Sequence, residues 1–455
     1  MLPGTRFRRI DRRLVLLAAL VCSNGFARAD RGGIRTEPIN IEEPAQRAII
    51  AHNGVREWIF LQTEVRAEKA TKVVEFMPLP AKPRVSLAPE GCFAALRDLL
   101  ERHNFRYHVA SSGARAEMGA AGDAPELVKV VVSAQLGPHA VTVAEVQDTD
   151  AFVAWVRDFF RQNDLGEPAL TPELREVVAG YLARDVRFFA FDVLTVSPEQ
   201  QTVQPLTYEF RSDHLYYPLV VTNLYGGTGA VELFTILPRH VSVANQNGPG
   251  KAGRGRLDIR PHRDVENERW RFLRAIGTRG DELTSAELAG LHPELPDWLG
   301  SRTLRLEVCK YEGPLRFERD VNERLGYPLP SYVAERFIAA LAAGDSDVLD
   351  SLIATPFALG GRTVIASRRQ LLVDLLDTKL SHAAAEDIER GHLGERGLRF
   401  DEVTDRLTRE FIKDNFREKD QVIQMVCRHA PDRFVILVRH VGYGFYRVVG
   451  FTAKR

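Results

Sequence analysis

The sequence predicts an α+β protein: a mixed, mainly antiparallel sheet domain with short helices, then a smaller α+β unit at the end of the chain. Three observations predict it. Runs rich in β-branched and aromatic residues recur through the first 325 residues, and Asn53-Gly54 between two of them is a strong short hairpin signal. Segments with apolar residues at helical spacing interleave with those runs, and several begin at an Asp, Thr or Ser suited to capping. After Gly326-Tyr-Pro-Leu-Pro330 the texture changes to a helix-helix-helix-meander set, so that segment reads as a domain linker.

In chain order, residues 46–52 and 57–65 form the hairpin and 73–77 a third strand. Pro78, Pro80 and Pro83 follow. Each fixes φ and removes a donor, so 78–83 reads as an extended rim leaving a sheet. Ala95, Leu96, Leu99 and Leu100 have helical spacing, which predicts a helix over 90–103. Residues 111–125 are Gly/Ala/Ser-rich and read as a surface insertion. Strands are expected at 127–133 and 140–146. Asp148-Thr-Asp150 then offers caps for a helix over 151–163, with Phe152, Val156, Phe159 and Phe160 on one face. Thr171 with Pro172 starts another helix. Further strands are expected at 186–196, 206–211, 219–224, 231–237 and 304–311, and short helices within 281–299. Residues 245–263 carry Gly248, Gly250, Gly253 and Gly255, but match neither phosphate-loop spacing and read as a surface loop.

Beyond the linker, Val333, Phe337, Ile338 and Leu341 form an apolar helical face that Gly344 can close. Asp345 or Ser346 can cap the next helix, ended by Pro356, and Ser367 a third. Residues 421–428, 433–441 and 445–451 read as a β meander. Residues 401–416 fit a helix or a bent strand. A unit of residues 328–455 is long enough to bury its own core.

The 455 residues are 45% hydrophobic and 27% charged, a globular composition. Residues 1–29 read as a secretory signal peptide: Arg6, Arg8, Arg9, Arg12 and Arg13, then an apolar run over 14–22, then Ala27-Arg28-Ala29. The run is too short to span a bilayer. Removing six arginines and one aspartate from 61 basic and 61 acidic side chains leaves a net charge of −5. That argues against a nucleic-acid partner. The mature chain has no other run of membrane-spanning length, so a soluble periplasmic or extracellular product is expected. Cys92, Cys309 and Cys427 remain, too few for a disulfide framework. Buried free thiols, or a single Cys92–Cys309 bridge, are the two readings.

Residues of about 45–240 resemble the bacterial family called domain of unknown function 2330. Gln46-Arg-Ala-Ile-Ile fits its opening strand, and Glu75-Phe-Met-Pro-Leu-Pro-Ala-Lys-Pro83 its proline core. Residues 137–155, ending at Trp155, fit its centre, and Gln204-Pro-Leu through Phe210-Arg-Ser-Asp213 to Tyr217-Pro218-Leu its closing segment. The Cys-Gly pair that opens the family is absent here. The resemblance implies no activity and no catalytic residues. Residues of about 328–455 resemble the nuclear-transport-factor-2-like (SnoaL-like) cone through Phe337-Ile-Ala-Ala-Leu-Ala-Ala-Gly-Asp345, Pro356-Phe357 and Gly444-Phe-Tyr-Arg-Val-Val-Gly-Phe451. That fold serves enzymes, binders and interaction modules alike.

The best polar cluster is Asp213-His214 with Tyr216 and Tyr217, between two expected strands. Asp and His suit a base and its orienter, but neighbours on an extended chain diverge unless a turn brings them together. The bland reading is a loop aspartate bonded to local amides, with Tyr216 and Tyr217 on a rim. Arg439, Tyr443 and Tyr446 are candidates to line an open cone. His52, His240, His262, His429 and His440 lack metal-ligand spacing, and neither a metal nor a cofactor is expected. The expectation is an exported, non-catalytic binding or interaction protein with a protein or small-molecule partner. The alternative is a hydrolase or metal-dependent enzyme near Asp213-His214 or in the C-terminal unit.

Overall fold

A computed structural model describes residues 32–34, 41–42, 46–67, 70–109, 128–196, 199, 201–224, 228–238, 241–243, 257, 259, 261–262, 265, 271–276, 283–299, 304–327, 329–360, 363–378, 380–389, 393–397, 413, 417, 420–442 and 445–454. The leader, the 111–125 insertion and most of 245–263 and 401–416 lie outside them.

The chain opens with strands Gly32–Ile34 (β1), Ile41–Glu42 (β2), Gln46–His52 (β3), Arg56–Ala67 (β4), Thr71–Leu79 (β5) and Arg84–Leu87 (β6), then helix Cys92–Arg102 (α1). Strands Arg106–Val109 (β7), Val128–Leu136 (β8) and His139–Val146 (β9) lead to helices Thr149–Gln162 (α2) and Pro172–Leu182 (α3). Phe188–Val196 (β10), Gln201–Thr202 (β11), Leu206–Arg211 (β12), His214–Tyr217 (β13), Thr228–Pro238 (β14), Ser242–Val243 (β15) and Arg271–Ile276 (β16) follow. Helices Ser285–Leu291 (α4) and Leu295–Leu299 (α5) precede Leu304–Pro314 (β17) and Val321–Gly326 (β18). The last part holds Pro330–Ala343 (α6), Ser346–Leu352 (α7), Ile353–Leu359 (β19), Thr363–Ile365 (β20), Arg368–Leu376 (α8) and His382–Glu389 (α9). It ends with Leu393–Gly397 (β21), Gln421–Cys427 (β22), Arg433–Gly442 (β23) and Phe445–Lys454 (β24).

These elements form an α+β protein with mostly antiparallel sheets. Side-chain alternation builds its layers. On β10, Phe189 and Phe191 face a cluster with Phe152, Val156 and Phe160 of α2, while Ala190 faces the opposite way. On β3 and β4, Ile49, Ala51, Trp58 and Phe60 face α1, α4 and α5, while Ala48, Ile50, Ile59 and Leu61 face the cluster that holds Ala190. A five-stranded sheet, β1-β5-β10-β9-β8, thus packs on a ten-stranded one whose path is β6-β12-β4-β3-β14-β17-β16-β7, with β2 and β11 each paired to β4 off that path. Helices cover the outer face of each. β3 pairs with β14 in parallel, Leu233 opposite Ala48.

Local chemistry starts the helices where expected. The Asp148 side chain accepts two amides at the start of α2, Thr171 caps α3 with Pro172 behind it, and Asp345 and Ser367 cap α7 and α8. Gly344, at φ 65°, closes α6. Gly54 supplies the positive φ, 95°, of the β3–β4 turn. Residues 219–224 correct the expectation of a strand: Val220–Leu224 is a 3-10 turn. Asp320 Oδ1 accepts the Val220 amide at 2.8 Å and Tyr181 Oη the Val221 amide at 3.1 Å, which draws those donors away from any ladder. Pro356 lies inside β19 rather than after a helix.

The segment read as a linker is packed. Gly326 closes β18, Tyr327 is 2% exposed, and α6 begins at Pro330. The Tyr446 amide donates to the Tyr327 carbonyl at 3.2 Å. One buried cluster runs from Ile59 and Tyr208 through Leu325 and Tyr327 to Phe337, Leu349 and Phe451. In the last part, a sheet ordered β20-β19-β24-β23-β22-β21 carries α6 on the face of Ile436 and Phe451. Val449 lies on the other face, with Leu437 and Val435. Cys92, Cys309 and Cys427 are buried free thiols. Cys92 and Cys309 belong to clusters on opposite faces of the ten-stranded sheet, so no bridge joins them.

Candidate functional site

A two-residue bend brings the Asp-His pair together. β12 ends at Arg211, and Ser212 and Asp213 turn the chain before β13 starts at His214. That bend lifts the divergence an extended chain would impose. Asp213 Oδ1 lies 2.6 Å from His214 Nδ1. Ser212 Oγ accepts the His214 amide at 3.0 Å and donates to the His214 carbonyl at 2.6 Å. The bond to His214, working against partial burial, holds the Asp213 carboxyl low, at about 2. Asp213 is 71% exposed and His214 33%, so the pair faces solvent. A carboxylate that orients an imidazole is the minimal acid–base unit.

Buried groups back this bend. His52 Nδ1 accepts the Gly54 amide at 2.9 Å, so Nε2 carries the proton and donates to the Ser212 carbonyl at 3.1 Å. Burial lowers His52 to about 3 and keeps it neutral. Glu57 accepts the Tyr216 amide at 2.8 Å, and burial pushes its carboxyl well above the usual range.

The other expected site residues are distributed differently. Tyr216 and Tyr217 are 2% and 0% exposed and belong to the core rather than to a rim. The Tyr216 hydroxyl donates to the Pro78 carbonyl at 3.1 Å. Arg439 grips buried Asp420 with two bonds, Nε to Oδ1 at 2.9 Å and a terminal nitrogen to Oδ2 at 2.7 Å. Tyr446 is half-buried, its ring 5.3 Å from that of His440. Tyr443 and His240 lie outside the described residues.

Three polar groupings are absent from the sequence reading. Asp320 accepts the Tyr181 hydroxyl at 2.9 Å and pairs with Arg184 at 2.9 Å. His139 sits 2.6 Å from Asp192 and 2.7 Å from the Gln204 carbonyl, which occupies both ring nitrogens of a buried imidazole. Asp387 Oδ1 lies 2.7 Å from Nδ1 of His429, and its Oδ2 accepts the His429 amide. No motif spacing announces them, because Tyr181 and Asp320 are 139 positions apart. A cleft of about 460 Å³ lies elsewhere, between α1 and α4, beside Asp98, Arg102 and Glu287. Glu287 is already bonded to His103 and Thr284. Among the described residues, no group of three or more His, Cys, Asp or Glu side chains is placed to hold a metal ion.

Among solved structures, baculovirus P35 is similar to this chain at a TM-score of 0.31 and 7% identity, over 64% of this chain and 98% of that one. A mutated baculovirus P35 after caspase cleavage gives 0.28 and 9%, over 61% and 98%. A chain of the caspase-8/P35 complex gives 0.25 and 8%, over 62% and 96%. At these scores the likeness establishes neither shared fold nor shared activity. No curated protein matches the chain. No described helix is long and apolar enough to cross a membrane. Residues 32–290 match the family described as "Uncharacterized protein conserved in bacteria (DUF2330)", more than half of the sequence, and the chain belongs to that family.

Proposed function

We propose that this is an exported, non-catalytic binding protein, periplasmic or extracellular, whose ligand or partner sits where residues 30–325 meet residues 328–455. The observation that carries the reading is the composite polar rim around the bend at Asp213. Arg211, two residues before the pair, bonds Asp347 at 2.8 Å and Asp350 at 3.2 Å on α7, and Arg368 of α8 bonds Asp350 from the other side. One exposed surface therefore takes side chains from both parts of the chain, and a partner resting on it reads both at once. The terminal unit fits a nuclear-transport-factor-2-like cone in that helices lie on one face of a six-stranded sheet. Register shifts in β19–β24 and β23–β24 support that reading, since bulges bend sheets.

The test is capture from the native periplasm with the full mature chain. A partner held by the natural sequence and lost with Arg211→Glu supports the rim. A partner held equally by both overturns it, and intact Met1 in cytoplasmic protein overturns export. The 2.6 Å bond between Asp213 and His214 favours a second reading, acid–base hydrolysis. Ester or phosphoester turnover that disappears with His214→Ala would replace the binding reading with that one.

A further inference from the structure

β13, which carries His214, is an edge strand. It closes a three-stranded sheet ordered β13-β18-β15, and no described strand pairs with its other side. On that side a side chain takes its backbone: Glu57 Oε2 of β4 accepts the Tyr216 amide at 2.8 Å. The bend before it is tied to the same hairpin. The Ser212 amide donates to the Val55 carbonyl at 3.0 Å, and His52 Nε2 donates to the Ser212 carbonyl at 3.1 Å. Two of the bonds that hold residues 212–216 to β3 and β4 therefore come from titratable side chains.

Geometry makes Glu57 an uncharged acid. It is 0% exposed, and its Oε1 is buried with no hydrogen-bond partner among the described residues. The groups facing it supply no positive charge. From β3 it faces His52, whose Nδ1 accepts the Gly54 amide and so carries no proton. From β12 it faces Phe210. From β13 comes Tyr216, whose phenol burial pushes well above the ordinary range. Asp320 and Arg184, which also act on that phenol, are paired with each other. Asp213 and His214 bond each other and face solvent. A buried carboxylate with one oxygen unbonded and no counter-charge is costly, so the proton stays on. Burial accordingly raises the Glu57 carboxyl well above its usual range, against the Tyr216 amide.

An acid here adds a response that an amide would lack. Glutamine would accept the Tyr216 amide at every pH. The Glu57 carboxyl instead ionises as pH rises, and the carboxylate then needs water. Ile59 and Phe210, both 0% exposed, close its core side, so water arrives where β13 leaves β4. We propose that Glu57 is a proton switch for the bend at Asp213: protonated, it holds residues 212–216 against β4, and ionised, it lets β13 part from the hairpin. The switch rests on the reading of that bend as part of the binding rim and regulates the same rim. The rim is ordered at acidic pH and loosens as pH rises from 4.5 through the raised value.

The test is amide hydrogen exchange of the full mature chain and of Glu57→Gln at pH 5 and pH 8. Comparing the two chains at one pH cancels intrinsic exchange rates, and His214, present in both, cancels as well. At pH 5 the Tyr216 amide should be equally protected in both. At pH 8 it should exchange roughly tenfold or more faster in the natural sequence than in Glu57→Gln, while β14 stays protected in both. If Glu57→Gln does not fold, β13 against β14 in the natural sequence decides the matter. Unchanged protection of β13 between the two pH values, or a loss at β14 as large as at β13, overturns the proposal. The natural sequence should also release a partner captured at the rim between pH 5 and pH 8, and Glu57→Gln should retain it. A β13 response with no partner held at any pH would sink the rim reading alone. A partner lost with Arg211→Glu, beside an unresponsive β13, would sink the switch alone.

Discussion

His52 and Glu57 face each other across the β3–β4 hairpin as register partners, both fully buried, and no ion pair joins them. Each is held uncharged by its own surroundings. His52 has its two nitrogens on Gly54 and Ser212, and Glu57 takes the Tyr216 amide.

Their pH effects run in opposite directions. The unfolded chain protonates His52 near 6.5, whereas the fold holds it neutral to about 3. Its contribution is therefore complete above pH 6.5 and is lost as pH falls toward 3. Glu57 keeps its proton in the fold above the ordinary 4.5, so its contribution declines as pH rises from 4.5 through the raised value. Glu57→Gln keeps an acceptor for Tyr216 and removes that titration. It should stabilise the protein by about 1–3 kcal/mol more at pH 8 than at pH 5 in urea unfolding. An equal change at both pH values would mean that Glu57 is ionised in the fold.

Phe76 is the next test. Its ring is 0% exposed and stands 6.0 Å from Phe191 and 6.1 Å from Phe152. Phe76→Ala should cost roughly 3–5 kcal/mol, because α2 and the five-stranded sheet meet over that ring. A loss below about 1 kcal/mol would show that the ring is exposed and the strand phase is shifted by one.

Much of this architecture is legible in the chain because it is local. Asn53-Gly54 specifies its turn, Thr171-Pro172 and Asp148 specify helix starts, and the alternation on β10 specifies which phenylalanines share a face. The strand expected over 219–224 fails for a non-local reason: Asp320, about a hundred positions away, takes the Val220 amide. Tyr216 and Tyr217 looked like rim residues because a polar Ser-Asp-His precedes them, yet β18 covers that strand, with Asn322 opposite Tyr216.

Asp320 offers a direct measure of one such non-local tie. It accepts the Tyr181 hydroxyl and the Val220 amide and pairs with Arg184, whose side chain is 41% exposed. Asp320→Ala would strand two buried donors and one partly screened cation. About 2–4 kcal/mol of destabilisation is expected by urea unfolding, the ion pair discounted for its exposure. Tyr181→Phe removes the hydroxyl's two bonds, the one to Asp320 and the one from the Val221 amide, but strands no charge, and should cost less, about 1–2 kcal/mol in the same measurement. Equal costs for the two variants would contradict a central role for the carboxylate.

Gly326 provides the sharpest test of the junction itself. A Cβ there would lie 2.4 Å from the Phe445 ring, too close for either to stay in place. The ring is 3% exposed, and the next residue along β24, Tyr446, is tied to Tyr327, so neither backbone can retreat freely. Gly326→Ala should therefore destabilise the full chain by about 1–3 kcal/mol through overpacking. Phe445→Ala alone should also destabilise it, by leaving a cavity. Combined, they should cost less than their sum by about 1 kcal/mol or more, because the added methyl enters space that the ring has left. Urea unfolding of the two single variants and the double variant measures that coupling. Strict additivity would mean that Gly326 and Phe445 do not touch, and that residues 321–326 are not packed against β24.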